Sequence, residues 1–185
     1  MKEWTKKSRT MRRYNLTAHI YDMQYAEEQN AKIEAALESL DVEKYGSMLD
    51  VGCGTGLLFD YVAEKTEELI GLDTSRKILL QAKKRSERFA NTHLILADAD
   101  NMPFEDCVFN YVFAMTIIQN MPNPEKTVDE VKRVAKKTGV MVITGLKKKF
   151  PFEVFEDFLR KLSLNVIEIK GENLKCHVAV CSKPP

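Results

Sequence analysis

Apolar residues along the chain fall into two alternating patterns, one typical of buried strands and one typical of amphipathic helices. Short, nearly continuous apolar runs occur at residues 48–51, 69–73, 93–97, 108–115 and 140–144. Between these runs, apolar side chains recur every three or four residues, which is the spacing of one helix face. Strands that alternate with helices predict a parallel sheet covered by helices on both faces.

The two ends of the chain add to this alternation. Residues 30–40 have helical spacing and are predicted to form a helix that covers the sheet. Residues 151–162 predict a further helix, and 166–170 and 174–181 predict two strands joined by a three-residue connection. So short a connection predicts an antiparallel hairpin at the edge of the sheet. The predicted fold is therefore α/β, with a doubly wound, mostly parallel sheet of seven strands.

A length of 185 residues suits a single compact domain. We divide the chain into a basic, mobile arm at 1–13 and one domain at 14–185. That domain comprises a helical cover at 14–45, a half built on the first five strands at 46–145, and a last helix and hairpin at 146–185. The sequence contains neither a secretory signal nor a run of about 18 apolar residues, so we expect a cytoplasmic protein without a membrane partner.

Charge is distributed unevenly, although the formal net charge is only +1. The first thirteen residues carry six basic and one acidic side chains, and the remainder carries 22 basic and 26 acidic ones. A basic segment of this kind is either a solvated terminus or a surface that attracts phosphate. The four cysteines include no CxxC pair, so we expect neither a metal site nor a disulfide framework.

The turn after the first strand is rich in glycine, with Gly52, Gly54 and Gly56 at alternate positions. In an open parallel sheet this turn borders the ligand site, and glycine lets a ligand approach the backbone closely. The spacing GxGxG differs from the dinucleotide fingerprint GxGxxG. Asp50, just before the turn, would repel a pyrophosphate and attract an ammonium group. The turn therefore favours a ligand that contains an amino acid.

Two further carboxylates follow the next two strands. Asp73 ends the second strand, at a spacing suited to the hydroxyls of a ribose. Asp98 follows the third strand and could accept from an adenine amine, while Ala99 offers a backbone N–H to the ring. Asp100 is a competing carboxylate, and a cap on the local turn is the alternative role for Asp98. An amino acid, a ribose and an adenine together describe S-adenosylmethionine.

With these motifs the chain resembles the class I, seven-β-strand methyltransferases that use S-adenosylmethionine, in the branch known as methyltransferase type 11. The resemblance extends from Tyr14 to Ser182. It rests on the glycine motif at 49–57, the acidic strand end at 71–75, the adenine loop at 98–104, and the region at 116–140. Residues 14–22 are similar to an N-terminal signature whose aromatic residues cover the cofactor.

The resemblance implies S-adenosyl-L-methionine as cofactor and no metal. It assigns cofactor-binding roles to Tyr14, Tyr21, Asp50, Gly52, Cys53, Gly54, Gly56, Asp73, Thr74, Asp98, Ala99 and Met115. It assigns no catalytic residue, because residues 115–120 depart from the Asn/Asp-Pro-Pro-Tyr motif and contain no histidine. Gln119 and Asn120 either orient an acceptor or stabilise their own loop.

The expected activity is methyl transfer to an undetermined acceptor. The loops at 116–123 and 145–151 are short, and Lys147, Lys148 and Lys149 accompany the basic arm, so we favour RNA, such as tRNA, over a small molecule. A protein acceptor or an activator subunit are further possibilities. The alternatives are a non-catalytic scaffold that binds S-adenosylmethionine and, more remotely, an NAD-dependent oxidoreductase.

Overall fold

A computed structural model describes residues 2–40 and 44–184. Within them, the strands are β1 (Tyr45–Val51), β2 (Thr66–Asp73), β3 (Thr92–Leu96), β4 (Phe109–Ala114), β5 (Ala135–Leu146), β6 (Asn165–Lys170) and β7 (Cys176–Ser182). The α-helices are α1 (Lys2–Thr17), α2 (Tyr21–Glu38), α3 (Phe59–Val62), α4 (Arg76–Ser86), α5 (Pro124–Val134) and α6 (Phe152–Lys161). None of these helices is long and apolar enough to cross a membrane.

The strands form one sheet in the order β3-β2-β1-β4-β5-β7-β6. Neighbours from β3 to β5 are parallel, whereas β7 runs antiparallel to both β5 and β6. The predicted doubly wound sheet with a C-terminal antiparallel hairpin is confirmed. Because the chain passes from β3 to the far side of β1, the strand order reverses between β1 and β4, and the ligand cleft of such folds opens there.

Two hydrophobic clusters lie on the two faces of the sheet. Val128 of α5 and Phe155 of α6 belong to one cluster, and Ile33 of α2 and Leu79 of α4 belong to the other. Along β1, Met48 and Leu49 are both fully buried, yet they contribute to different clusters, because successive strand residues point to opposite faces. Burial on both faces explains why the central strands are nearly continuous apolar runs.

The helix starts follow local capping chemistry. Oδ1 of Asn123 accepts from the backbone N of Lys126 at 3.2 Å, and Pro124 stands in the first turn of α5. At α4 the cap is Ser75, whose Oγ accepts from the backbone N of Ile78 at 3.3 Å. Ser75 thus caps the helix with its side chain, and Asp73 is not needed for that bond.

Two segments differ from the sequence-based expectation. Strand β5, predicted from the apolar run at 140–144, begins directly after α5 and contains Gly139. A Cβ on Gly139 would come within 3.0 Å of the backbone of Phe109 and Lys136, next to the irregular pairing of β4 with β5. A close backbone approach of this kind requires glycine within a strand.

The N-terminal segment is the second difference. Residues 2–17, which include most of the predicted basic arm, form helix α1. The partly buried residues of α1 include Lys7, Thr10 and Tyr14, which are polar or amphipathic, so hydrophobic periodicity gives no helical signal there. The division into an arm and one domain stays a prediction, and residues 1, 41–43 and 185 lie outside the described residues.

Candidate functional site

A cavity lies at the carboxyl ends of β1, β2, β3 and β4, where the strand order reverses. The segments that follow these strands form one side, and α1 and α2 form the other. Eleven of the predicted site residues line this cavity: Tyr14, Tyr21, Asp50, Gly52, Cys53, Gly54, Asp73, Thr74, Asp98, Ala99 and Met115. Residues far apart in the sequence therefore come together as the motif order predicts, while their roles in binding stay predictions.

The glycine turn is held against the end of β2. The backbone N atoms of Gly52 and Cys53 donate to the carbonyl O of Leu72 at 2.7 and 2.9 Å. Gly54 lines the cavity with a φ of +56°, and a Cβ there would lie 3.8 Å from the ring of Tyr21. Glycine therefore leaves the backbone of residue 54 bare at the cavity wall, close to the ring of Tyr21.

Gly56 is the predicted site residue that does not line the cavity. Its φ is +80°, and a Cβ there would collide with the ring of Phe59. Phe59 is fully buried in the sheet-facing cluster on the side of α2. The third glycine of the motif therefore allows a turn and a close packing contact, rather than direct ligand approach.

Asp50 lies at the end of β1 with only 4% of its surface exposed. Burial, and to a lesser degree the charge of Asp73, raise the pKa of Asp50 to about 8. A carboxyl group in this environment gains its charge most readily when a cation arrives beside it. The prediction that Asp50 faces an ammonium group is consistent with this electrostatic setting.

Asp73 connects the glycine turn to the end of β2. Its Oδ2 accepts from the backbone N of Gly54 at 3.2 Å, and its Oδ1 accepts from the backbone N of Ser75 at 2.8 Å. Burial raises the pKa of Asp73, and the backbone N–H groups of Ser75, Gly54 and Thr74 oppose that rise. The carboxylate is thus fixed at the cavity wall before any ligand arrives.

Asp98 has a partner that the sequence did not predict. The Nζ of Lys7, from α1, lies 2.7 Å from both carboxylate oxygens of Asp98 and also pairs with Asp100. Asp98 also caps its own turn, because its Oδ1 accepts from the backbone N of Asp100 at 3.1 Å. In this structure Lys7 therefore binds the Asp98 carboxylate, which is predicted to accept a hydrogen bond from the adenine amine.

The two competing carboxylates of this loop have different surroundings. Asp100 is 2% exposed, does not line the cavity, and accepts from Oγ1 of Thr127 at 2.5 Å. Asp98 lines the cavity. The structure therefore favours Asp98 over Asp100 as the residue that faces a ligand.

Aromatic rings cover the cavity from the N-terminal helices. The rings of Tyr14 and Tyr21 are 6.0 Å apart in an edge-to-face arrangement, and Tyr21 also packs on Tyr25 at 5.1 Å. The Oη of Tyr14 accepts from Nδ2 of Asn120 at 3.3 Å, which links α1 to the segment after β4. These two tyrosines join the helical cover to the two ends of the cavity.

Neither thiol nor metal chemistry is indicated. Burial raises the pKa of Cys53 well above its ordinary value, so its thiol is a poor nucleophile. Among the described residues, no three histidine, cysteine, aspartate or glutamate side chains cluster to hold a metal ion. The cavity thus offers carboxylates, hydroxyls, amides and apolar walls.

The segment after β4 supplies a polar end of the cavity that the sequence analysis only partly predicted. Thr116 has a φ of +59°, which is unusual for a β-branched residue. Thr116, Asn120 and Gln29 line the cavity, as does Lys7. Of these residues only Asn120 could be named from the sequence, because a strained threonine and polar contacts from two helices leave no motif.

A protein-family model described as "Methyltransferase domain" matches residues 49–143. The malonyl-[acyl-carrier protein] O-methyltransferase of Marinomonas sp. (strain MWYL1) is 31% identical over 144 residues, which are 77% of this chain and 53% of that protein. The chain spans about half the length of the curated relatives it matches.

Two solved structures share the fold at low sequence identity. The DhpI–SAH complex has a TM-score of 0.78 at 17% identity, covering 95% of each chain. A methyltransferase in complex with the Haloferax volcanii Trm112 methyltransferase activator has a TM-score of 0.76 at 14% identity, covering 93% of this chain and 98% of that one. These likenesses support the same architecture over almost the whole chain.

Proposed function

Since the chain belongs to the class I S-adenosylmethionine-dependent methyltransferases, we propose that it transfers a methyl group from S-adenosylmethionine, held in this cavity, to an acceptor near Thr116. The observation that carries the proposal is the convergence of Asp50, Asp73 and Asp98 on one cavity. Three carboxylates in the order of the strands suit a ligand with an ammonium group, a ribose and an adenine.

We assign each part of the cofactor to a wall of the cavity. The amino acid end lies at Asp50 and the bare backbone of Gly52 and Gly54, and the ribose lies at Asp73. The adenine lies at Asp98 and Ala99, with Lys7 displaced from Asp98. Cys53, Thr74 and Met115 complete the walls, and Tyr14 and Tyr21 cover the ligand. The buried carboxyl group of Asp50 and the cavity-lining carboxylates of Asp73 and Asp98 fit this assignment.

When bound, S-adenosylmethionine supplies a methyl group on a sulfonium, which is already a good leaving group. The chain then contributes by position and by exclusion of water. Asp73 fixes the glycine turn, the tyrosines of α1 and α2 shield the cavity, and Asn120 connects Tyr14 to the segment after β4. No described residue needs to act as a base for this contribution.

Two of the surface lysines that favoured an RNA acceptor in the sequence analysis have partners within the protein. Nζ of Lys147 donates to the carbonyl O atoms of Gly171 and Glu172, and Nζ of Lys149 donates to the carbonyl O of Gln119. These lysines hold loops together, so they add little support to an RNA acceptor. The Marinomonas relative acts on malonyl-[acyl-carrier protein]. We therefore propose a small organic acceptor, free or carrier-bound, in place of RNA; the functional group that receives the methyl is not carried over from that relative.

An activator subunit stays a proposal, suggested by the complex of a structurally similar methyltransferase with Trm112. Its test is the behaviour of the isolated chain. If the chain binds S-adenosylhomocysteine and remains folded alone but labels a small-molecule acceptor pool only when the protein fraction of an extract is added, a partner is required.

Calorimetric titration with S-adenosylmethionine, S-adenosylhomocysteine and NAD tests the cofactor. We expect micromolar binding of the first two and none of NAD, and the reverse result would restore the oxidoreductase hypothesis. Incubation with methyl-labelled S-adenosylmethionine and separate RNA, protein and small-molecule pools then tests transfer. Label in the RNA pool alone would overturn the proposed acceptor class, and binding without any transfer would indicate a non-catalytic scaffold.

A further inference from the structure

We infer that Thr116 contacts the acceptor and selects one that presents an uncharged O–H or N–H group, against carboxylates and ethers. This inference rests on the proposed function, because it takes the cavity to hold the cofactor at its other end. It goes further in naming the residue and the chemical class of the acceptor.

Every hydrogen that Thr116 can donate is already used. Its backbone N donates to Oγ1 of Thr144 at 2.7 Å, and its hydroxyl donates to Oε1 of Gln29 at 3.0 Å. Nζ of Lys32 lies 3.3 Å from the same hydroxyl oxygen and donates to it. A lysine ammonium is only a donor, so the threonine hydrogen must point to Gln29. Thr116 can therefore offer only lone pairs to a molecule in the cavity.

Asn120, like Thr116, can only accept hydrogen bonds from a molecule in the cavity. Both hydrogens of its Nδ2 have acceptors, the Oη of Tyr14 at 3.3 Å and the carbonyl O of Thr116 at 2.9 Å. The remaining polar atom of its side chain is Oδ1, an acceptor. Two adjacent residues at this end of the cavity thus present lone pairs, while Gln29 retains the hydrogens of its Nε2.

The other walls at this end are apolar and come from Ile33, Met115, Ile117 and Met121. A hydroxyl or a neutral amine satisfies such a site, because it donates to Thr116 or Asn120 and accepts from Gln29. A carboxylate would place its negative charge against the lone pairs of Thr116 and Asn120 in apolar surroundings, which costs free energy. An ether or ester has no hydrogen to donate.

Lys32 is the positioning residue behind Thr116. It is 1% exposed, and its Nζ also lies 2.8 Å from Oε1 of Glu28. Lysine is rarely buried so completely unless its charge is paired. Its ammonium fixes the direction of the threonine hydroxyl, and the left-handed φ of +59° at Thr116 shows that the surrounding contacts hold this residue in an otherwise unfavourable conformation.

The first experiment measures binding without catalysis. The chain is saturated with S-adenosylhomocysteine and titrated with phenol, anisole and benzoate, followed by NMR. We expect phenol to bind at least about tenfold more tightly than the other two, since a site built to hydrogen-bond a hydroxyl rejects analogues that lack it. Equal affinities, or no binding of phenol at millimolar concentration, would overturn the inference.

The variants identify the residue responsible. Thr116→Val keeps the shape and should abolish the preference for phenol, whereas Thr116→Ser should retain it. Thr92→Val is the matched control, because the hydroxyl of Thr92 is buried on β3 without a partner among the described residues. Lys32→Met frees the hydroxyl hydrogen of Thr116 and should therefore raise the affinity for anisole relative to that for phenol. Lys32→Arg, which keeps the positive charge, should restore the preference for phenol. A preference that survives in Thr116→Val contradicts the inference.

The second experiment examines the product. Methyl label transferred to components of a cell extract should resist alkali, as ethers and methylamines do. Label released as methanol would reveal a methyl ester and a carboxylate acceptor, which refutes the inference while the proposed function stands. Loss of S-adenosylhomocysteine binding, or binding with no transfer of label, would instead refute the proposed function.

Discussion

The Nζ atom of Lys7 lies 2.7 Å from both carboxylate oxygens of Asp98, so a lysine of α1 binds the carboxylate that we assign to adenine. The pair is largely shielded from water, with 13% and 24% of the two side chains exposed. Adenine and Lys7 therefore compete for one carboxylate.

Replacement of Lys7 by Met should strengthen binding of S-adenosylhomocysteine, because the competing cation is removed. A partly buried pair worth about 1 kcal/mol corresponds to a change of roughly fivefold in affinity. Calorimetric titration measures it, with Arg9→Gln on the exposed side of α1 as the control for lost positive charge. Weaker binding in Lys7→Met would mean that Lys7 contacts the ligand favourably.

Affinity for the cofactor product should depend on pH through Asp50. Burial raises the pKa of Asp50 from 3.8 to about 8, so the free protein holds this proton at pH 6. An ammonium ligand favours the ionised carboxylate, so binding releases the proton and strengthens as pH rises from 6 to 8. Titrations in two buffers of different ionisation enthalpy measure the release, and Asp50→Asn should remove both effects. A flat profile for the unaltered chain would contradict this assignment.

The raised pKa of Asp50 also makes the stability of the fold depend on pH. Between pH 4 and 8 the folded chain retains the Asp50 proton that the unfolded chain has lost. Rising pH in that interval therefore lowers the contribution of Asp50 to the free energy of unfolding.

Asp73→Ala should weaken S-adenosylhomocysteine binding at least tenfold and also destabilise the fold. The change removes the proposed ribose acceptor and leaves the N–H groups of Gly54 and Ser75 without their carboxylate, at a cost of about 1–3 kcal/mol. Binding titration and urea unfolding report the two effects separately. Asp129→Asn, at an exposed carboxylate of α5, should change neither.

Gly54 and Gly56 of the turn should differ in their tolerance of a methyl group. Gly54→Ala adds left-handed strain of about 1–2 kcal/mol but no collision, because its Cβ would make an ordinary contact of 3.8 Å with the ring of Tyr21. Gly56→Ala adds that strain and a collision with Phe59, for a further cost of about 1–3 kcal/mol. Urea unfolding should therefore rank Gly56→Ala as the less stable variant, and the opposite order would contradict the packing role of Gly56.

Most of the sheet could be predicted because its strands are buried on both faces and its turns carry glycine or a cap. Asp50 and Asp73 lie at strand ends and Asp98 lies just beyond one, so strand prediction alone brings them to one edge. Lys7 and Lys32 could not be predicted in the same way. Asp98 and Thr116, which these two lysines contact, are 91 and 84 residues distant from them, and a lysine on a helix normally indicates a solvated face.

Strand β7 follows β6 in the chain but lies between β5 and β6 in the sheet. Strand β6 therefore has no hydrogen-bonding neighbour other than β7 within the described sheet, and it can join only after β7 has paired or together with it. The last two strands are thus expected to assemble as one cooperative unit. In native-state hydrogen exchange, the amides of β6 should open no later than those of β7, and the shared interface of β5 and β7 should be among the slowest to exchange.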